Sequence, residues 1–288
     1  MTSIQTWPGH WFRRLPATGW VGLILVTITV AAAVVSLVWT PYDPHHAIPA
    51  ERLLGPGSSH LLGTDRFGRD VLSRLMAGAR ITVFVGLVAV AIAAAIGVPA
   101  GIFAGMRRGS WVDHLIMRAA DLMLAFPALL MAIIAGAVWG PSTLTAMLAI
   151  GVAGIPSFAR VARSGTLQVM TQDYIRSARV SRVPGWLIAW RHVLPNIGAL
   201  VIVQASVYFA LAILAEAGLS YLGLGSAPPS ASWGRMLQDA QTLLGTQPWL
   251  VVWPGTAIAG TVLGFNLLGD GIRDLIDPRL ARGGKVDA

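Results

Sequence analysis

Two acidic residues lie within or beside apolar stretches of this 288-residue chain and are the first candidates for chemistry. An ionisable group at membrane depth is a functional candidate by default, because burying a charge in lipid is costly. Glu216 could face a pore, or pair with Arg235 or with a neighbouring subunit. Asp121 lies one helical turn from Arg118, so a local ion pair is expected there.

Known catalytic and metal-binding patterns are missing from the sequence. There is no HExxH or GxSxG, which disfavours an intramembrane enzyme, and no GxxxxGK[ST], so the chain has no phosphate-binding loop of its own. His45 and His46 are adjacent, but no third ligand is evident. The absence of cysteine excludes disulfides and thiolate metal sites. We expect no catalytic residue, no metal site and no cofactor in this chain.

The composition indicates an integral membrane protein. Hydrophobic residues make up 55% of the chain and charged residues 12%, about half the charged fraction of a soluble domain. A bilayer core requires about 20 apolar residues of helix, because a backbone in lipid must satisfy its own hydrogen bonds. The blocks without charge are 16–41, 81–106, 122–159, 193–215 and 240–269. The expected fold class is therefore all-α and membrane-spanning.

Six transmembrane helices are predicted, at 18–40, 81–105, 115–138, 143–159, 196–217 and 248–268. The block 122–159 is too long for one span, and WGPST at 139–143 divides it with Gly and Pro. The first apolar run exceeds that of a cleaved signal peptide, so it is expected to remain as an anchor. The predicted regions are an N-terminal segment (1–17), a first span (18–40), a loop with a short helix (41–80), a five-helix core (81–270) and a C-terminal tail (271–288).

The distribution of positive charge predicts that both termini are cytoplasmic. A formal net charge of +8 is compatible with nucleic-acid binding when taken alone. With the N-terminus inside, however, the inner segments carry 15 of the 21 lysines and arginines, and the outer segments carry 6. This asymmetry follows the positive-inside rule, so no nucleic-acid partner is expected. Tryptophans near the predicted span ends suit an aromatic belt: Trp20, Trp39, Trp111, Trp139 and Trp249.

Several glycines recur four residues apart within the predicted spans. Such spacing allows helices to approach closely, although it also arises by chance in glycine-rich segments. The sets are Gly97/Gly101/Gly105, Gly136/Gly140 and Gly260/Gly264.

A polar outer loop at about 41–78 precedes the second predicted span. Thr64 or Asp65 is expected to cap a short amphipathic helix near the outer surface. Asp65, Arg69 and Asp70 could contact an external protein or could form caps and local pairs.

A basic segment, QDYIRSARVSRVPGWLIAWRHVLPN at 172–196, separates two apolar halves. Its first ten residues favour helix, and Arg176, Arg179 and Arg182 would lie within about a third of the circumference. Pro184 suits the first turn of a second helix. The segment overlaps a predicted cytoplasmic loop at 160–195 and is expected to form two short helices joined by a bend. Such a surface could bind anionic lipid headgroups or dock a partner protein, and both remain open.

This segment resembles the cytoplasmic coupling loop of permease subunits in ABC importers. Residues that fit the variant seen in peptide importers are Asp173, Tyr174, Ala178, Arg179, Arg191, His192, Leu194, Pro195 and Asn196. The chain most resembles the second permease of dipeptide, oligopeptide and nickel systems. The similarity extends over about 18–282 and includes GTDRFGRDVLSR (63–74), ILAEAGLSYLGLG (213–225) and NLLGDGIRDLIDPRL (266–280). It implies the type I permease fold of ABC importers.

Three positions depart from the family's loop motif. Arg176 stands where the motif has glutamate, Ser177 replaces its first alanine, and Arg182 replaces the glycine that permits the bend. Arginine at positive φ costs on the order of 1 kcal/mol, so Pro184–Gly185 is expected to carry the bend instead. The arginine at 176 predicts an unusually acidic groove on the docking partner.

The resemblance implies half of a translocation pore in the bacterial inner membrane, paired pseudo-symmetrically with a sibling permease. ATP and Mg²⁺ would be bound by two ATPase subunits or one fused ATPase, and an extracytoplasmic binding protein would deliver substrate. The ATPase-coupling residues would be Asp173, Tyr174, Arg176, Ala178, Arg179, Arg182, Pro184, Gly185, Leu194 and Pro195. Glu216, Ser220 and Tyr221 would line the substrate pathway, whereas Asp65, Arg69 and Asp70 would contact the binding protein.

Dipeptides or oligopeptides are the expected cargo, and nickel chelates or haem are alternatives within the same class. An autonomous ion-coupled carrier is a rival from another class. It would require buried ionisable relays within several spans, whereas the candidates here are few and lie near predicted span ends.

Overall fold

The computed structural model describes residues 15–225 and 229–276, which form α-helices and connecting loops without a β-strand in those ranges. The helices are α1 (Ala17–Val35), α2 (Val71–Met106), α3 (Trp111–Leu124), α4 (Ala128–Trp139), α5 (Thr143–Met170), α6 (Asp173–Val180), α7 (Gly185–Ile188), α8 (Leu194–Tyr221), α9 (Trp233–Ala240) and α10 (Trp249–Ile276). A π-helical turn at Ala189–Val193 joins α7 to α8.

Five helical segments are long and apolar enough to cross a membrane: α1, α2, α5, α10, and α7 with α8 as one segment. A sixth crossing exists if α3 and α4 are counted together, although they meet at a bend of 80°. The predicted unbroken helix over 115–138 is therefore wrong. Pro127 explains the break, because proline lacks an amide hydrogen and disfavours the helical conformation of the residue before it.

The second span begins ten residues earlier than predicted, at Val71 instead of residue 81. The predicted caps are also wrong: the N-cap is Asp70, whose carboxylate accepts a hydrogen bond of 2.7 Å from the Ser73 amide. The expected amphipathic outer helix is thus the first part of α2. At 1.5 Å per residue this 36-residue helix is about 54 Å long. It begins where the outer loop ends, and its last residue, Met106, lines a groove with Gly185 of the basic segment 172–196, which is called the basic loop below.

Close backbone contact joins α2 to α5. A Cβ atom built on Gly101 would lie 2.2 Å from the Ala159 carbonyl oxygen, and one on Gly97 would lie 2.5 Å from the Ile155 carbonyl oxygen. Gly105 is similarly close to Thr166. The first glycine set therefore forms a packing seam, because any side chain would separate the helices.

The other two glycine sets differ from the first. A Cβ on Gly140 would meet nothing within 4 Å, and one on Gly136 would meet nothing nearer than 3.9 Å, so these two form no close contact. In α10, a Cβ built on Gly264 would lie 2.8 Å from the Leu25 Cβ of α1, whereas one on Gly260 would meet nothing within 4 Å.

The remaining helices pack around α2 and α5. The helix α8 contacts α2, α5 and α10, and the rings of Phe209 and Phe265 stack at 4.0 Å between α8 and α10. The helix α9 lies against the N-terminal end of α2, where Trp233 Nε1 donates a 2.9 Å hydrogen bond to the Leu75 carbonyl. Two apolar cores result, one around α2, α5 and the basic loop, the other around α1, α8, α9 and α10.

The seam predicts opposite outcomes for the same substitution at two glycines. Gly101→Ala should destabilise the chain by about 1–3 kcal/mol, because its methyl group overlaps α5 backbone. Gly260→Ala should be neutral or stabilising by up to about 1 kcal/mol, because alanine favours helix and the site is open. Thermal unfolding in detergent measures the difference, and equal melting temperatures would contradict the seam.

Candidate functional site

The basic loop forms two short helices, as predicted, and α6 is its first. Ile175 is fully buried and Ala178 packs against the same core, so this face anchors α6 to the bundle. On the opposite face, Arg176 Nη1 lies 3.3 Å from Asp173 Oδ1, with both side chains largely exposed. An exposed pair of this kind contributes little stability, so both charges are available to another molecule.

A left-handed residue ends α6, and that residue is Arg182, with φ of +56°. The Val183 amide donates to the Ala178 carbonyl and the Arg182 amide donates to the Arg179 carbonyl, both at 3.0 Å. These two bonds define a Schellman motif, in which glycine normally occupies the left-handed position. The expectation that Pro184–Gly185 would carry the bend is therefore wrong. The bend needs positive φ one residue after the cap, and the hydrogen bonds fix that position at Arg182.

The second half of the loop is continuous with the fifth predicted span. Pro184 precedes α7 and Gly185 begins it, and the helical path then continues through the π turn into α8. Pro195 accounts for the π turn, because its ring crowds the carbonyl four residues earlier and it cannot donate a hydrogen bond. The Leu194 amide instead donates to the Ala189 carbonyl, five residues back.

An aromatic contact connects the two halves of the loop, and large apolar side chains remain on its surface. The rings of Tyr174 and His192 have centroids 5.9 Å apart. Trp186 and Trp190 are 72% and 68% exposed, and Val180 is 85% exposed. Exposed tryptophans beside arginines are typical of a protein interface or of a membrane surface.

A groove of about 800 Å³ separates α7 from the C-terminal end of α2. Its lining is mainly apolar, with Phe103, Met106 and Trp190 among its residues, and it also includes Arg107 and Arg179. Arg179 therefore faces this groove, whereas Arg176 pairs with Asp173.

Glu216 is buried near the C-terminal end of α8, at 1% exposure. Ser220 donates a 2.7 Å hydrogen bond to its Oε1 atom, and the Ser232 side chain is a second hydrogen-bond partner of the carboxyl group. Arg235, one of its suggested partners, instead lies 3.5 Å from Asp239. Of the three pathway candidates, Glu216 and Ser220 are enclosed in the packing of this chain, and Tyr221 is 41% exposed.

Ion pairs connect α3 to the C-terminal half of α5. Asp121 pairs with Arg160 at 2.5 Å and not with Arg118, so the expected local pair is wrong. A second pair was not predicted: Arg163 binds both oxygens of the buried Asp113, at 2.6 and 2.9 Å. Its partners are 50 residues apart, so no local spacing pattern could have revealed it.

The outer candidates Asp65, Arg69 and Asp70 are buried and engaged within the chain. Asp65 accepts hydrogen bonds from the Phe67 amide and the Arg69 Nε atom, at 2.8 and 2.7 Å. Asp70 caps α2 and also lies 2.9 Å from His60 Nδ1. The structure thus gives them capping and pairing roles, and their contact with an external protein stays a prediction.

The adjacent histidines do not take part in a metal cluster within residues 15–225 and 229–276. The Nδ1 atom of His45 lies 3.1 Å from the Pro229 carbonyl oxygen. The C-terminal motif is described only to residue 276, and its last residues, 277–280, lie outside the described part.

The Schellman motif makes a prediction at position 182. Arg182→Gly should stabilise the chain by about 1–2 kcal/mol, because glycine adopts the left-handed conformation without the Cβ penalty. Arg179→Gly removes the same charge inside α6 and should destabilise by about 1 kcal/mol. Thermal unfolding compares the two, and a loss of stability in Arg182→Gly would contradict the assignment.

Comparison with known proteins places this architecture in a family. The protein-family model described as "binding-protein-dependent transport system inner membrane component" matches residues 97–282. The dipeptide transport system permease protein DppC of Alkalihalophilus pseudofirmus is 41% identical over 260 residues, covering 90% of this chain and 85% of that protein. The glutathione transport system permease protein GsiD of Pectobacterium atrosepticum is 38% identical over 281 residues, covering 96% and 93%.

A third relative is the probable D,D-dipeptide transport system permease protein DdpC of Escherichia coli. It is 40% identical over 269 residues, covering 90% of this chain and 89% of that protein. The resemblance predicted from the motifs is confirmed, and so is the expected fold class of a helical membrane protein. The chain is a multi-pass membrane protein and belongs to the family of binding-protein-dependent transport system inner membrane components.

Proposed function

We propose that this chain is one of two permeases in an ATP-driven importer of short peptides. The observation that carries the proposal is the basic loop, whose buried α6 anchor and helical continuity with α8 suit a mechanical coupling element. Relatives named for dipeptide, glutathione and D,D-dipeptide transport support a cargo of small peptides. A pseudo-symmetric sibling permease would complete the pore.

ATP and Mg²⁺ would be bound by partner ATPases, either two subunits or one fused chain. The ATPases would dock on the exposed face of α6, and their closure on ATP would displace this helix. Because α7 and α8 form one continuous segment of 37 residues, a displacement at Gly185 would tilt the whole span. The two permeases would then alternate between inward-open and outward-open states.

We propose that both termini lie in the cytoplasm of a bacterial cell, with the protein in its inner membrane. The positive-charge asymmetry supports this orientation. The outer loop and α9 would then face the binding protein, with Arg69 and its neighbours Asp65 and Asp70 near the contact. Glu216, Ser220 and Tyr221 would lie beside the pathway at the outer end of α8.

Reconstitution tests the proposal as a whole. In proteoliposomes, this chain alone should transport no peptide, because it has no nucleotide-binding loop. Addition of the sibling permease, the ATPases and the loaded binding protein should give peptide uptake that requires ATP. Peptide transport by the isolated chain would refute the proposal, and so would uptake by the complex that does not depend on ATP.

Arg176 should contact an acidic residue of the docked ATPase. Arg176→Gln should weaken ATPase docking about two- to fivefold, since an exposed ion pair contributes up to about 1 kcal/mol. Arg108→Gln removes one charge from another exposed inner position and is the matched control. Titration of the ATPases onto the permease pair measures the effect. A structure of the complex without a carboxylate near Arg176 would contradict the prediction.

A further inference from the structure

Four arginines line one pocket between the outer loop, the start of α2 and α9: Arg66, Arg69, Arg74 and Arg235. The pocket has a volume of about 220 Å³, which is enough for a carboxylate and the side chain that carries it. We propose that this arginine pocket receives a carboxylate side chain of the binding protein that delivers substrate. The inference rests on the proposed function, which supplies that protein and puts the pocket on the outer side.

Two carboxylates hold the arginines in place, and neither belongs to one arginine alone. Asp65 Oδ2 lies 2.7 Å from Arg69 Nε and 3.5 Å from Arg74 Nε. Asp65 also accepts hydrogen bonds from the backbone amides of Phe67 and Arg69. Its acceptor capacity is therefore divided among several donors, which fixes the guanidinium groups without neutralising each of them.

Asp239 of α9 is shared more widely still. Its carboxylate lies 2.9 Å from Arg66 Nη2, 3.4 Å from Arg69 Nη2 and 3.5 Å from Arg235 Nε. Four guanidinium groups thus share two carboxylates, which leaves an excess of two positive charges in this cluster. Within the described part of the chain, the buried Nε–H of Arg66 has no hydrogen-bond partner.

An excess of buried positive charge favours an anionic ligand. Arg74 is 1% exposed and Arg69 is 8% exposed, so water does little to screen the repulsion between them. A carboxylate in the pocket would balance the excess and accept from unused guanidinium donors, and charge-assisted hydrogen bonds of this kind are strong. The pocket is therefore complementary to an acidic side chain before any partner arrives.

The mouth of the pocket indicates a protein as the source of that carboxylate. Phe67 is 43% exposed, and the guanidinium carbons of Arg66 and Arg69 lie 4.7 and 4.6 Å from its ring centroid. An exposed aromatic ring beside two arginines resembles the composition of an interface hot spot. A protein surface with an acid beside an apolar group would engage both, whereas a free anion would leave Phe67 uncovered.

The experiment measures the affinity of the peptide-loaded binding protein for the assembled transporter in nanodiscs. Arg66→Gln and Arg235→Gln should each raise the Kd about tenfold and reduce its dependence on salt concentration. Arg66→Lys keeps the charge but loses the planar fork, so its Kd should lie between those of Arg66→Gln and the wild type. Arg108→Gln, on the inner side, is the matched control and should leave the Kd unchanged.

Charge exchange identifies the partner residue. Acidic surface residues of the binding protein are changed singly to arginine. The binding-protein variant that lowers affinity is then combined with the Arg66→Glu transporter. Restored affinity in that combination is expected, because each new charge then faces its opposite. Thermal unfolding of every transporter variant separates a lost contact from a lost fold, and Arg66→Lys replaces any variant that does not assemble.

Two results would overturn the inference. The first is an unchanged Kd and salt dependence in the assembled Arg66→Gln and Arg235→Gln variants. The second is an unchanged Kd with impaired uptake of free peptides but normal uptake of C-terminally amidated ones, which would assign the pocket to the cargo. Wild-type uptake that requires ATP and the binding protein is measured first, so failure of the proposed function appears before any variant is compared.

Discussion

Backbone contact between α2 and α5 is the constraint on which the other elements depend. At Gly97 and Gly101 the two helices lie so close that a single methyl group would overlap a carbonyl oxygen. Lipid offers no hydrophobic drive for helices to associate, so this close van der Waals packing has to hold them together. Because α2 runs from the outer loop to the basic loop, the contact with α5 holds these two ends of the molecule in a fixed relation to each other.

The other helices are attached to that body in different ways. Helix α8 packs apolar side chains against α2 and α5, whereas α3 is joined to α5 by charge, through Asp113–Arg163 and Asp121–Arg160. The first of these pairs has a buried carboxylate bound by two guanidinium donors, and the second is half exposed. The buried, bidentate pair between Asp113 and Arg163 therefore holds α3 against α5 more strongly, because solvent screens the exposed pair.

Local patterns in the sequence predicted the features that depend on local physics. Charge-free blocks marked the spans, the distribution of arginines indicated the basic loop, and Pro184 marked the start of its second helix. The ion pairs of α3 escaped because Asp121 and Arg160 are 39 residues apart, beyond any helical spacing rule. The apolar block around Pro127 predicts one continuous helix, because its composition outweighs a single proline, and the 80° break contradicts that prediction.

The positive φ of Arg182 was not predicted, because residue type favours a bend at Pro184–Gly185 over one at an arginine. Arginine is disfavoured at positive φ by an energy on the order of 1–2 kcal/mol. The Schellman motif places one residue there whatever its identity, and its two hydrogen bonds and the packing of Val183 against the core offset that cost. The end of α6 thus determines the position of the bend, even though arginine is disfavoured in the left-handed conformation that the bend requires at residue 182.

Helical continuity from α7 to α8 determines where the basic loop can bend when its docking surface is displaced. A proline at position 195 would break an ideal α-helix, but the π turn widens the backbone there and transfers a hydrogen bond to the Ala189 carbonyl. No comparable helical path crosses residues 181–184, where α6 ends and Pro184 has an extended conformation. In the proposed mechanism, motion at the docking surface therefore hinges before Gly185, and everything from there to Tyr221 turns as one lever.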